Sequence, residues 1–185
     1  MNNGDITGRL LEGETLVWSG RPGQGLRVTS RDALLIPFSL MWGGFAIFWE
    51  VSVAQISAPV FFELFGAAFV LVGLYFIAGR FVVDAWLRGK TRYAVTNRRI
   101  LIARSEPFSS FISLNLNRLP DVELQEDATG RGTLRFGPAT PLWGYRGWGG
   151  FALWTPALDP TPQFIAIDNA QSVFNQIQRS IQSAA

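Results

Sequence analysis

TRYAVTNRRILIAR, Thr91 to Arg104, is where the character of the chain changes. Tyr93 and Val95 alternate before Thr96-Asn97-Arg98, and Ile100 and Ile102 alternate after it. A period of two places successive side chains on opposite faces of a strand, and Asn tolerates the left-handed backbone of a tight turn, so the stretch predicts a β-hairpin. The residues before it obey no such period. From Ala33 to Trp49 the chain reads ALLIPFSLMWGGFAIFW, and from Leu64 to Gly79 it reads LFGAAFVLVGLYFIAG, both without a charge.

Each uncharged run is a little short of the roughly 20 residues needed to cross a hydrocarbon core of about 30 Å. The first extends through Val51 to Ile56, and the second through Phe81 to Trp86 if Arg80 sends its guanidinium towards the head groups. Asp84 stands four residues after Arg80 and four before Arg88, a spacing that lets the trio share charge along one helix face. Neither run has the polar face of a helix in a soluble core, so two membrane helices are expected, about 33–54 and 62–86. Trp42, Trp49 and Trp86 fit interface anchoring, and Pro37 falls in the first turn, where its missing N–H does little harm. Gly43, Gly44, Gly66 and Gly73 allow close packing, but no GxxxG marks a dimer face. A cleaved signal peptide is not expected, because the first run begins only after a long polar stretch.

Basic residues set the orientation. The connection from Glu50 to Glu63 has no Lys or Arg, whereas Arg9, Arg21, Arg27 and Arg31 precede the pair and Arg88, Lys90, Arg92, Arg98 and Arg99 follow it. The positive-inside rule places both flanks in the cytoplasm, with only the short connection across the membrane.

Composition narrows the chemistry. Of 185 residues, 48% are apolar, which exceeds the usual soluble profile because of the stretch between Asp32 and Trp86. Cysteine and histidine are absent, which removes thiolate and imidazole metal ligands, the Ser-His-Asp triad and the commonest general base. Carboxylates, hydroxyls and Lys90 remain, so a non-enzymatic chain without a cofactor or metal is expected. A net charge of +2 is far from the basic stripe of a nucleic-acid binder.

Beyond the first hairpin, Ile112, Leu114 and Leu116 keep period two, and Val122 and Leu124 lead through DATGRGT to Leu134 and Phe136, a second hairpin. With FALW (Phe151 to Trp154) and QFIAI (Gln163 to Ile167), about seven short strands are expected after the membrane helices. A further short strand, Leu16 to Trp18, is expected to dock on them. A helix at about 169–183 follows, with Asp168 and Gln171 in capping-box spacing and Ala170, Val173, Phe174, Ile177 and Ile181 on one stripe.

LLEGETLVWSGRP before the apolar pair, TRYAVTNRRILI and GRGTLRFG after it, and the terminal FIAIDNAQSVFNQIQ together resemble the bacterial PH-domain membrane proteins. The resemblance covers nearly the whole chain and implies two transmembrane helices followed by a pleckstrin-homology-like module, a seven-stranded bent sheet or partly open barrel with a C-terminal capping helix. It implies an arm at 1–31, a helical hairpin at 32–87 and the module at 88–185. The run from Pro138 to Pro162, rich in Gly, Pro and Trp, departs from the family pattern.

Arg88, Lys90, Arg98 and Arg99 are candidate lipid head-group contacts, since basic residues beside a membrane attract anionic lipid; as turn residues and topology determinants they have a plainer reading. TGRGT lacks the ending of a phosphate-binding loop and reads as a turn. Asp121, Glu123, Glu126 and Asp127 read as a solvated strand face, and only a carboxylate enzyme would use Asp121 or Glu123 otherwise. Trp143, Tyr145, Arg146, Trp148 and Trp154 form a candidate partner-binding loop, which could equally pack on its own domain or dip into the interface. Two helices without a central polar residue argue against transport unless many copies assemble. The expected role is protein recognition at the membrane, as scaffold, assembly factor or accessory subunit. Anionic-lipid sensing is the alternative, membrane lipids and another membrane protein are the partners, and self-association stays open.

Overall fold

The computed structural model describes residues 4–56, 59–126, 130–138 and 154–184. After one helical turn, α1 (Gly4–Thr7), and a short strand, β1 (Leu16–Gly20), the two uncharged runs form an antiparallel helical pair. The first is α2 (Asp32–Gln55). The second is continuous from Val60 to Gly89, as α3 (Val60–Leu74), a π-helical turn (Tyr75–Gly79) and α4 (Arg80–Gly89). At 1.5 Å per residue α2 alone measures about 36 Å, and both helices are long and apolar enough to cross a membrane.

Gly43 and Gly73 set the seam between them: a Cβ on Gly73 would come 3.0 Å from the Gly43 Cα, so a larger residue would force the helices apart. Away from the seam the apolar side chains face outward, with Leu34, Met41, Phe48, Phe61, Leu64 and Leu71 all exposed. A helix of a soluble core would bury them. Pro37 is the sixth residue of α2 and so falls in its second turn, not its first. Its missing N–H takes the helix donor from the Ala33 carbonyl.

Past α4 the alternating runs fold into two antiparallel sheets. β2 (Thr91–Thr96), β3 (Arg99–Arg104) and β4 (Ser110–Asn115) join β1 in the order β1-β2-β3-β4, and β5 (Val122–Glu126), β6 (Arg131–Phe136) and β7 (Gln163–Asp168) form the second sheet. Seven strands are therefore present among the described residues: six of those expected after the helices, and β1, which docks on them as expected, with Ser19 opposite Ala94 and Gly20 opposite Tyr93. Of the expected FALW strand, 151–153 lie outside the described residues, and Trp154 is helical rather than extended. Because β1 precedes the helical pair and β2 follows it, the pair is an insertion between two neighbouring strands.

The core lies where the sheets face each other. Tyr93, Val95, Ile100 and Ile102 meet Leu134, Phe136, Phe164 and Ile167, and the C-terminal helix α5 (Ala170–Ala184) closes the open side with Ala170, Val173 and Ile177. Phe164 is the centre, its ring 4.5 Å from Tyr93, 5.0 Å from Phe136 and 5.5 Å from Trp18. Burying each such side chain contributes roughly 1.5–3 kcal/mol. The Tyr93 hydroxyl accepts the Ile165 N–H at 3.0 Å and ties one sheet to the other. At Gly132 a Cβ would come 2.7 Å from the Ala170 Cβ, so glycine lets α5 lie directly on β6.

The expected capping box does not form. Asp168 ends β7 and turns its carboxylate to Arg131 at 2.7 Å, while Asn169, at φ 53°, offers its carbonyl to the Val173 N–H. The Gln171 amide goes to Asn175 instead.

Candidate functional site

Where the helical pair meets the sheets, charges are buried in pairs. Arg80 is 2% exposed and contacts Asp32 of α2 at 2.6 Å, so it neither reaches for head groups nor pairs with Asp84. Its guanidinium lies over the rings of Phe81 and Trp154, and its Nε donates to the Phe76 carbonyl at 2.9 Å, inside the π-helical turn. That turn also brings the Tyr75 hydroxyl within 3.0 Å of the Thr155 hydroxyl. Arg88 pairs with Asp84 at 2.7 Å and donates to the carbonyls of Gly23 and, at 2.6 Å, Gly25. Asp84 in turn accepts the Ala157 N–H at 2.9 Å.

The arm between β1 and α2 is thus held on both sides. Its Gly23 N–H donates to the Ala166 carbonyl at 2.8 Å, and Arg27 donates to the Thr133 hydroxyl at 3.0 Å. Both contacts fall at a bulge, where Ala166 takes φ 49° and the β6–β7 register shifts between Gly132 and Leu134. Beside the arm opens a cleft of about 440 Å³, lined by Arg27, Arg88, Arg131 and Glu126 among others. Its size suits a small ligand. Two of its cations already have acidic partners, Arg88 in Asp84 and Arg131 in Asp168.

A second cluster lies at the far end of the first sheet. Glu14 has no exposed side-chain surface and accepts from Arg99 at 2.8 and 2.9 Å, from the Thr96 hydroxyl at 2.7 Å and from the Leu11 N–H at 2.7 Å. These bonds, the Arg99 one foremost, pull its pKa from 4.5 down to about 2 and push that of Arg99 up. Ile6 and Leu10 of the same N-terminal segment cover the outer face of the sheet at Ala94, Leu101 and Ala103.

The residues chosen from the sequence do not form one patch. Arg88 is 2% exposed and enclosed at the helix end; Arg99 serves the Glu14 cluster. Arg98 is exposed at the β2–β3 turn, about 20 Å of strand from Lys90 at 3.3 Å per residue. Lys90 is exposed, with its Nζ 6.0 Å from the centre of the Trp86 ring. Trp143, Tyr145, Arg146 and Trp148 lie outside the described residues, as does Asp127. Trp154 stacks on Phe76, ring centres 4.2 Å apart, and so packs on the chain's own helix. Asp121 and Glu126 are exposed, and Glu123 reaches Arg135 at 3.4 Å on a solvated strand.

Asp32 and Glu14 were not singled out from the sequence, and Arg27 was counted only as a topology determinant. Glu14 and Arg99 stand 85 positions apart, and only a long-range pairing signal could have joined them. Among the described residues no group of three or more acidic, His or Cys side chains could hold a metal. No family model, curated protein or solved structure matches the chain.

Proposed function

We propose that the helical pair is a two-pass anchor in a bacterial cytoplasmic membrane, with both termini in the cytoplasm, and that the sheets form a PH-like, non-enzymatic binding module. The module recognises another membrane or membrane-associated protein at the cytoplasmic surface, as scaffold, assembly factor or accessory subunit. The observation that carries this reading is the pairing of β1 with β2 across the inserted helices. It needs both flanks on one side of the bilayer, and the absence of Lys and Arg from Glu50 to Glu63 assigns that side to the cytoplasm. The exposed apolar sides of α2 and α3 are suited to acyl chains.

A sheet of four strands, a sheet of three and a closing helix, in chain order, support the PH-like reading. Fold alone does not choose a ligand. Protein recognition is favoured over lipid sensing at Arg98 and Arg99 because Arg99 is committed to Glu14 and Arg98 stands far along the strand from the helix end. The test is gentle detergent extraction of the full chain followed by mass spectrometry. A stoichiometric protein companion is expected, and it should be lost on replacing Trp143, Tyr145, Arg146 and Trp148 with Ala. Recovery of the chain alone, with one lipid class enriched, would refute protein recognition.

A further inference from the structure

Just beyond α4 the outer face of the first sheet carries a cross-strand row that lies outside the core between the sheets, with only its Ala103 covered by Ile6 and Leu10. Arg92 pairs across the strands with Ala103, and Ala103 with Phe111. On the other side Arg21 follows Gly20, the partner of Tyr93, and so comes opposite Arg92. Cross-strand partners share a face, and like charges placed opposite each other repel. Arg92 feels this: partial burial first, and the Arg21 charge second, hold its guanidinium below the ordinary arginine value. Its Nη1 donates to the carbonyls of Gly89 and Thr91, at 3.2 and 2.9 Å, while its Nε is buried without a partner among the described residues.

The row is joined to the end of the membrane helix. The Thr91 hydroxyl donates to the Leu87 carbonyl at 3.0 Å, and the Ser105 N–H donates to the Lys90 carbonyl at 3.1 Å, hooking the β3–β4 turn onto the residue after α4. That turn displays Phe108, 48% exposed; Phe111 is 40% exposed with the Arg9 guanidinium 4.8 Å from its ring centre. Arg9 thus caps one open ring, Arg21 and Arg92 lie in the same cross-strand row, Lys90 stands beside Trp86, and the acid on the turn is Glu106. Cations beside exposed aromatics, continuous with the interfacial Trp86, match the chemistry of a head-group layer rather than of a protein core.

We infer that this face lies on the chain's own membrane, with lipid phosphates between Arg21, Lys90 and Arg92 and with Phe108 entering the interface. The occupant is an anionic lipid surface. The contact fixes the tilt of the sheets. This rests on the membrane-anchor reading but not on protein recognition.

The chain has no Cys. Single substitutions Ser109→Cys, Asn97→Cys and Leu64→Cys in the full chain can therefore carry an NBD fluorophore into nanodiscs of brominated phosphatidylcholine, with or without phosphatidylglycerol. With phosphatidylglycerol, quenching at 109 should exceed that at 97 several-fold. Arg21→Glu with Arg92→Glu, or high salt on the unaltered row, should bring 109 down to the level of 97. Weak and equal quenching at 109 and 97 overturns the inference while strong quenching at 64 leaves the anchor standing. Quenching at 109 that survives both charge reversal and salt overturns it too. Absence of quenching at 64 removes the anchor and the lipid contact together.

Discussion

Two buried charge clusters hold opposite ends of the first sheet, and they differ in what lies beyond them. At the helix end Asp32, Arg80, Asp84 and Arg88 are all enclosed, paired across two helices and against the arm. At the far end Glu14 is enclosed, but Arg99 keeps one side towards water. A buried pair gives little net stability over apolar packing, whereas removing one partner strands a charge and is expensive. The first cluster therefore dictates which elements meet, arm to helix and helix to helix. The second does the same for the N-terminal segment, within reach of protons from solvent.

That contrast is easiest to break at Arg88. Arg88→Ala strands Asp84 and frees two arm carbonyls, and should cost on the order of 3–5 kcal/mol, read as a fall in thermal stability and early proteolysis between Gly20 and Asp32. A loss no larger than that of Arg99→Ala would erase the distinction. Next comes Arg80→Leu, at about 3 kcal/mol; combined with Asp32→Leu it should recover most of the loss, a coupling a double-mutant cycle measures directly. Purely additive losses would mean the pair does not act as a unit.

Glu14→Gln should cost less, on the order of 2 kcal/mol, because Arg99 can turn to water. The Glu14 cluster also responds to pH. Since the folded Glu14 titrates at about 2 and its ordinary value is 4.5, its stabilisation is complete above 4.5 and is lost as pH falls towards 2. Acid titration of unfolding should therefore show a slope between those values that Glu14→Gln flattens, while Arg98→Ala leaves it in place. The smallest effect is expected at Arg98→Ala. Its side chain is exposed, and its backbone N–H donates to the Thr96 hydroxyl, so melting should scarcely change.

Local pattern carried most of the fold. The hairpin about Asn97, the strands at 122–126 and 131–136, and the α5 stripe all show in spacings of a few residues, because period two and period 3.6 are local properties. What the sequence hid is long-range. Arg80 has a same-helix acid four residues away in Asp84, yet the helix crossing delivers Asp32, which no spacing rule could rank above it. Likewise the capping-box spacing at Asp168 lost to Arg131, a neighbour brought by the β6–β7 ladder.

The candidate site was less legible than the fold. Positive charge near a membrane drew attention to Arg88 and Arg99, but a guanidinium that turns inward looks the same in sequence as one that turns out. Arg21 and Arg92 were counted only as topology determinants. Their significance comes from a strand register that joins residues on either side of the helical insertion.

Thiol accessibility reports directly on that interlacing. In intact cells, a single Ser57→Cys should react with an impermeant maleimide from outside the cytoplasmic membrane. Asn97→Cys, and Thr15→Cys ahead of β1, should react only after lysis. Protection of Ser57, or labelling of position 15 and position 97 from opposite sides, would contradict a two-pass anchor whose flanking strands share one sheet.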